Sequence, residues 1–290
     1  MKVSGFTFIR NAIKYDYPVA EAIKSILPIC DEVVVAVGKS DDETLALIQN
    51  IDPKIRIIET TWDDTLKQGG QVLAVETNKA FNAVDPGADW CFYIQGDEAI
   101  HEQYLDTVYE AMQQYKADKK VDGLLFKYLH FYGSYDYVGN SSKWYRNEIR
   151  VIKNNKSIYS YRDAQGFRKG NNEKLNVKAI DAYIYHYGWV REPHAMQKKY
   201  NNFGRLWGAD EWSDEAEKKF SGPFDYSQID SIEKFSGTQP SVLHARIQRM
   251  NWAFDRDLAY NNLKLKDKLK NLLEKVTGKR PFDYKNYKIV

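Results

Sequence analysis

The stretch DWCFYIQGDEAIHE, residues 89–102, decides the fold. Residues 90–94 are an unbroken apolar and aromatic run that follows the breaker Pro86-Gly87 and ends abruptly in Gln95, Gly96, Asp97 and Glu98. A short apolar run bounded in this way reads as a strand buried on both faces. Strands of that kind belong to parallel sheets covered by helices.

Upstream the same pattern recurs. Residues 2–9 read as a strand closed by Arg10 and Asn11, and Pro18 then opens a helix whose Val19, Ala22, Ile23, Ile26 and Leu27 share one face. Residues 33–37 are a β-branched run ending in Gly38-Lys39-Ser40-Asp41-Asp42, followed by a helical pattern through Leu45, Leu47, Ile48 and Ile51. Residues 55–58 make a third strand, closed by Thr60, Thr61, Trp62 and two aspartates, and after Gly69-Gly70 a helix is expected over 72–84. This alternation predicts an α/β fold with a mostly parallel central sheet and helices on both faces. In such sheets ligands bind outside the carboxyl ends of the strands, so four polar strand ends should converge on one rim.

Downstream, residues 103–115 read as a helix and 123–132 as a strand. WYRNEIRVIKNN (144–155) reads as a strand pair and YRDAQGFRKGNNEK (161–174) as a long polar loop, while 196–206 and 242–275 return to helical character. With no internal repeat and no low-complexity linker, the expected partition is a main domain over 1–240 and a helical C-terminal extension over 241–290.

The formal charge of +2 argues against a nucleic-acid binder, which needs clustered Lys and Arg. Two cysteines, Cys30 and Cys91, each lie in an apolar stretch and give neither a disulfide framework nor a zinc ribbon, so both are expected as buried thiols. The opening MKVSGFTFIRNAIKYDYP lacks a long apolar core, and no run of about 18 apolar residues occurs, so a cytoplasmic protein is expected.

Asp97 and Glu98, directly after a strand, suit a hard divalent cation such as Mg²⁺ or Mn²⁺, whose other positions phosphate and water would fill. The plainer alternative is a helix cap. Ser40-Asp41-Asp42-Glu43-Thr44 carries the same two readings. No GxxxxGK[ST] or GxGxxG occurs, and no Ser or Cys sits in a nucleophile elbow. Of the five histidines, His186 in YIYHYGWVREP ends an apolar alternation from which it could reach the rim as a metal ligand.

In order, FTFIRNA, then YPVAEAIKSILPICDEVVVAVGKSDDET, IRIIETTWDD, GGQ with ETNKAFNAV, DWCFYIQGDE and a late IYHYGW resemble the family 2 glycosyltransferases of the GT-A fold over residues 3–190. The resemblance implies an inverting transfer of a sugar from a nucleotide diphosphate sugar to an acceptor hydroxyl, with a divalent metal at a DxD-like motif. It implies that Phe8, Arg10 and Asn11 lie beside the donor base, with Gly38 and Asp42 in the nucleotide motif. Gly70 and Asn78 would flank the sugar, Gln95 would stand at the first DxD position, and Asp97 and His186 would hold the metal. Two departures stand out: Val37 or Gly38 occupies a position often acidic in the family, and Gln95 replaces an Asp.

An inverting transfer needs a carboxylate to take the acceptor proton. Asp163 is the choice, with Glu148 and Glu173 as alternatives, and Arg162, Arg168 and Lys169 are nearby candidates for phosphate contact. The basic amphipathic LKLKDKLKNLLEKVTGKR (263–280) reads either as a helix packed on the domain or as a weak peripheral contact with an anionic membrane, where lipid-linked acceptors of cell-surface glycan synthesis would be met. The rival functions are a catalytically inactive GT-A relative that binds nucleotide or carbohydrate, and a sugar nucleotidyltransferase. FIRNAIKYD lacks the Gly-rich loop expected of the latter.

Overall fold

The computed structural model describes residues 1–66, 68–206, 222–258, 262–277 and 285–290. Its first half follows the expected alternation: β1 (Val3–Ile9), α1 (Val19–Ile26), β2 (Glu32–Gly38), α2 (Thr44–Gln49), β3 (Ile55–Thr60), α3 (Gln71–Ala83) and β4 (Trp90–Tyr93). The four strands pair in parallel in the order β3-β2-β1-β4. Val33, Val35 and Val37 pack to one side with Val19, Ile23 and Ile26 of α1, while Val34 and Ala36 face Ala80 and Phe81 of α3 on the other. Full burial of a valine stabilises by about 1.5–3 kcal/mol, so β2 belongs in the middle of the sheet. Cys30 and Cys91 are the expected buried thiols, and burial pushes Cys91 up to about 12.

The second half runs β5 (Glu98–Ile100), α4 (Leu105–Tyr115), β6 (Gly123–Tyr132), β7 (Tyr137–Gly139), β8 (Asn147–Lys153), β9 (Ile158–Tyr161), β10 (Gly166–Lys169), β11 (Glu173–Trp189) and α5 (Pro193–Leu206). Here the sheet becomes mixed. β8 is antiparallel to both β4 and β6, β11 is parallel to β6, and β10 and β9 extend the edge antiparallel. The order is β3-β2-β1-β4-β8-β6-β11-β10-β9.

Three segments differ from the sequence reading. Residues 144–155 supply one strand, β8, because Trp144 and Tyr145 turn away into aromatic contacts with His130. Residues 161–174 form the β9–β10 connection, β10 and the start of β11 rather than a loop. Arg162 and Ala164 adopt left-handed φ of 55° and 63°, and Ala164 N–H donates to Tyr161 O at 3.2 Å, which closes the turn in four residues. The C-terminal part contains β12 (Ile232–Lys234), α6 (His244–Gln248), α7 (Leu265–Thr277) and β13 (Tyr287–Ile289). β13 pairs in parallel with β11, so the chain returns to the main sheet instead of ending as a purely helical extension. Residues 207–221, 259–261 and 278–284 lie outside the described residues, and with them the Gly278-Lys279-Arg280 end of the basic stretch.

Candidate functional site

One cavity opens at the carboxyl ends of the parallel strands and meets a second, larger one beside it. The first, of about 510 Å³, is lined by the ends of β1 and β4, by Trp62 after β3, by His186 and Gly188 of β11, and by α5. The second, of about 1490 Å³, lies among β8, the 161–165 turn, α7 and the residues around β13. Tyr145, Asp163 and Gln165 line both.

In the smaller cavity, Phe8, Arg10 and Trp62 form an aromatic and cationic wall. The Arg10 guanidinium lies 4.2 Å above the Trp62 ring and pairs with Asp64 at 3.0 Å, and the Phe8 and Trp62 rings are 5.8 Å apart. Gly38 makes this packing possible, since a Cβ there would sit 2.3 Å from Trp62 Nε1. That indole nitrogen is buried over Gly38 with no hydrogen-bond partner, while the ring itself lines the cavity.

Asp97 and His186, predicted as metal ligands, come together: Asp97 Oδ1 lies 3.8 Å from His186 Nε2. The tautomer of His186 follows from its neighbours. His130 Nε2 is 2.8 Å from the Tyr145 carbonyl and must donate, so its Nδ1 is a lone pair that accepts from His186 Nδ1–H at 3.0 Å. In the neutral ring His186 Nε2 is the unprotonated nitrogen, and it faces a carboxylate oxygen. Burial lowers the pKa of both rings, against the pull of the Asp97 carboxylate on His186. Two lone-pair donors facing each other fit a divalent cation, with its remaining positions left for phosphate and water. Among the described residues, no group of three His, Cys, Asp or Glu side chains could form a fuller protein cage.

The other carboxylate oxygen is held by cations that the motifs did not reveal. Lys199 of α5 donates to Asp97 Oδ2 at 2.9 Å and to the Gly188 carbonyl at 2.7 Å, and Arg191 Nη2 lies 3.8 Å from the same Oδ2. Burial alone would raise the Asp97 carboxyl, but the Lys199 and Arg191 charges hold it well below the usual carboxylate range. Burial and the Arg191 charge bring Lys199 down to about 8. Gly188 leaves room for this cluster, because a Cβ there would meet the His186 ring at 2.5 Å.

Gln95 has a structural task. Its Nε2 donates to the Ala164 carbonyl at 3.2 Å and to Tyr93 Oη at 3.3 Å, which ties the end of β4 to the turn bearing Asp163. Asp163 is flanked by the left-handed Arg162 and Ala164, conformations that cost of order 1–3 kcal/mol each and persist where the surroundings enforce them. Burial raises its pKa. Glu148 lies at the edge of the larger cavity, where Oε1 accepts from Gln165 at 2.8 Å and Oε2 has no partner; burial pushes it up to about 7.

The remaining predicted residues stand off the smaller cavity. Asn11, at φ 55°, accepts from Asp41 N–H at 2.8 Å, and Asp42 receives Thr44 N–H at 3.0 Å and Lys14 N–H at 2.7 Å, so both lock the loops behind the rim. Gly70 caps α3 at φ 72°, and Asn78 is bonded twice to the Ser160 backbone, joining α3 to β9. Glu98 is fully buried in a two-pronged pair with Arg150, at 2.8 and 2.9 Å, and is spent on structure. Glu173 is exposed at the start of β11. Arg168 is buried against Asn286, and Lys169 pairs with Asp122 at 2.7 Å, which takes both away from a phosphate role.

No protein-family model and no curated protein matches the sequence. Several solved structures do. Residues 1–349 of TarS from S. aureus, solved with UDP-GlcNAc, are 14% identical with a TM-score of 0.43, covering 76% of this chain and 70% of that one. Against a longer TarS structure the chain spans 39% of the partner's length. Glucosyl-3-phosphoglycerate synthase from Mycobacterium tuberculosis, solved with Mn²⁺, UDP and glucosyl-3-phosphoglycerate, is 14% identical with a TM-score of 0.31, covering 46% and 45%. The 4-diphosphocytidyl-2C-methyl-D-erythritol synthase of Anaerococcus prevotii is 13% identical with a TM-score of 0.37, covering 62% and 87%.

Proposed function

We propose that this protein is an inverting glycosyltransferase of the family 2, GT-A type that moves a hexosyl group from a nucleotide diphosphate sugar to an acceptor hydroxyl. The observation that carries the reading is the meeting of two cavities at one carboxylate, Asp163. The smaller cavity has an aromatic wall for a base, a charged floor for a diphosphate and a volume within the range of small-molecule sites. The larger would take the acceptor.

In the transfer the acceptor oxygen attacks the anomeric carbon from the face opposite the diphosphate. The carbon–oxygen bond to the leaving phosphate breaks, the diphosphate departs with the electron pair, and Asp163 takes the acceptor proton. The raised pKa of Asp163 suits a base. Gln95 holds the backbone beside it through Ala164. Asp97 and His186 would hold Mn²⁺ or Mg²⁺, and such an ion supplies positive charge to the leaving group.

Peripheral attachment to the cytoplasmic face of an anionic membrane belongs to the same proposal, although no described helix is long and apolar enough to cross one. Helix α7 docks through polar residues: Ser142 donates to Asp267, Asn271 to the Asn140 carbonyl at 3.3 Å, and Arg146 pairs with Glu274 at 3.4 Å. The opposite face leaves Leu265 (84%), Leu269, Leu272, Leu273 and Val276 (77%) exposed, with exposed Lys266 and Lys268 on its flanks. Apolar side chains outward and lysines at the flanks suit a lipid surface. Leu273, Glu274 and Thr277 also line the larger cavity, which supports a lipid-linked acceptor.

The test is thermal shift with UDP, GDP, CDP and dTDP, with and without Mn²⁺. One of them should raise the melting temperature; stabilisation by none would refute the donor site. Asp163→Asn should keep that stabilisation and lose about 10²- to 10⁴-fold in transfer rate.

A further inference from the structure

We infer that Lys199, backed by Arg191, is a binding site for the donor diphosphate made by the protein itself, so that the phosphates are recognised even when no divalent cation is present. The inference rests on the proposed donor cavity and goes beyond it, because neither residue belongs to the motifs that suggested the function.

The argument is one of charge balance. Arg191 is fully buried and Lys199 nearly so, and the carboxylate between them is Asp97 alone. Two cations around one anion leave an excess positive charge inside the protein. Buried charges are ordinarily paired. Arg191 is held rigidly, with Nε donating to the Tyr15 carbonyl at 3.0 Å and Nη1 to the Gly188 carbonyl at 2.8 Å, yet its buried Nη2 has no hydrogen-bond partner. Lys199 spends two of its three N–H donors on Asp97 and Gly188 and lines the smaller cavity. The anion that would balance the cluster therefore has to come from that cavity. A diphosphate carries the charge and the acceptor oxygens, and donors already fixed in place need no rearrangement to receive it. Lys199 is the contacting group. Arg191 is a positioning residue that keeps Asp97 from cancelling the lysine's charge.

Titration calorimetry in excess EDTA separates this site from any metal. Each of UDP, GDP, CDP and dTDP is compared with its own nucleoside, since the difference reads the phosphates alone. The nucleotide that binds should do so at least about tenfold more tightly than its nucleoside in EDTA. Lys199→Met should erase that preference while leaving nucleoside affinity unchanged, Lys199→Arg should keep most of it, and Arg191→Gln should reduce it. Unchanged nucleoside affinity also shows that a variant is folded. Equal binding of nucleotide and nucleoside in EDTA, with a preference that appears only when Mn²⁺ is added, overturns the inference and leaves the glycosyltransferase reading standing. Failure of all four nucleotides under both conditions overturns both.

Discussion

Glu148 offers the sharpest quantitative test, because one buried carboxyl should leave a visible mark on stability. Its side chain is 3% exposed, Oε1 accepts from Gln165, and Oε2 has no partner. Burial favours the neutral acid and outweighs Arg150 and Gln165, which pull the other way, so the group moves from an ordinary 4.5 to about 7. The folded protein therefore binds more protons than the unfolded chain between these values. The contribution of Glu148 to stability is greatest below about pH 4.5 and falls as pH rises through 7, by about 3 kcal/mol at 1.36 kcal/mol per pH unit. Glu148→Gln keeps the shape and can still accept from Gln165, but it cannot ionise. Urea unfolding of both proteins from pH 5 to pH 8 should show the variant gaining about 2.5 kcal/mol on the parent across that range. Parallel curves would refute the reasoning, by showing that Glu148 is already ionised in the fold. Transfer activity should survive in Glu148→Gln if Asp163 is the base, and its loss would move that role to Glu148.

Three further outcomes follow from the site and from α7. Gly188→Ala should push the His186 ring aside, costing about 1–3 kcal/mol in thermal unfolding and weakening Mn²⁺ binding, and a fully tolerated substitution would contradict the close approach. Trp62→Ala removes the aromatic wall on which Arg10 stacks and should weaken nucleotide binding about 3- to 10-fold by calorimetry; unchanged affinity would place the base elsewhere. Leu269→Gln with Leu272→Gln should abolish sedimentation with anionic vesicles at low salt while changing stability by less than about 0.5 kcal/mol, since both side chains are exposed; a large loss of stability would mean that this face is packed.

The polar strand ends were legible as a rim because each followed a run that could only be a buried strand. Their membership was not. Asp42 and Asn78 resemble donor-site residues in sequence, yet both spend their hydrogen bonds on neighbouring backbone, a choice set by which loop or strand lies within 3 Å. In the sequence Trp62 reads only as a strand closure, and its place over Gly38 comes from the packing of two strand ends that are distant in the chain. The apolar arc of α7 was readable, but whether it faced the domain or solvent depended on where Asp267, Asn271 and Glu274 found partners.

By itself the sequence determined the parallel half of the sheet, the helices on its two faces and the positions of Asp97 and His186 on chain segments able to reach one rim. Local patterning suffices for that, since side-chain period and turn residues act over a few neighbours. Only the tertiary structure decided that Lys199, 102 residues from Asp97, would hold its carboxylate, that Gln95 would clamp the turn carrying Asp163, and that two cavities would meet there. Those contacts join segments far apart in the chain, and the excess charge they create exists only when α5 is packed against the end of β11.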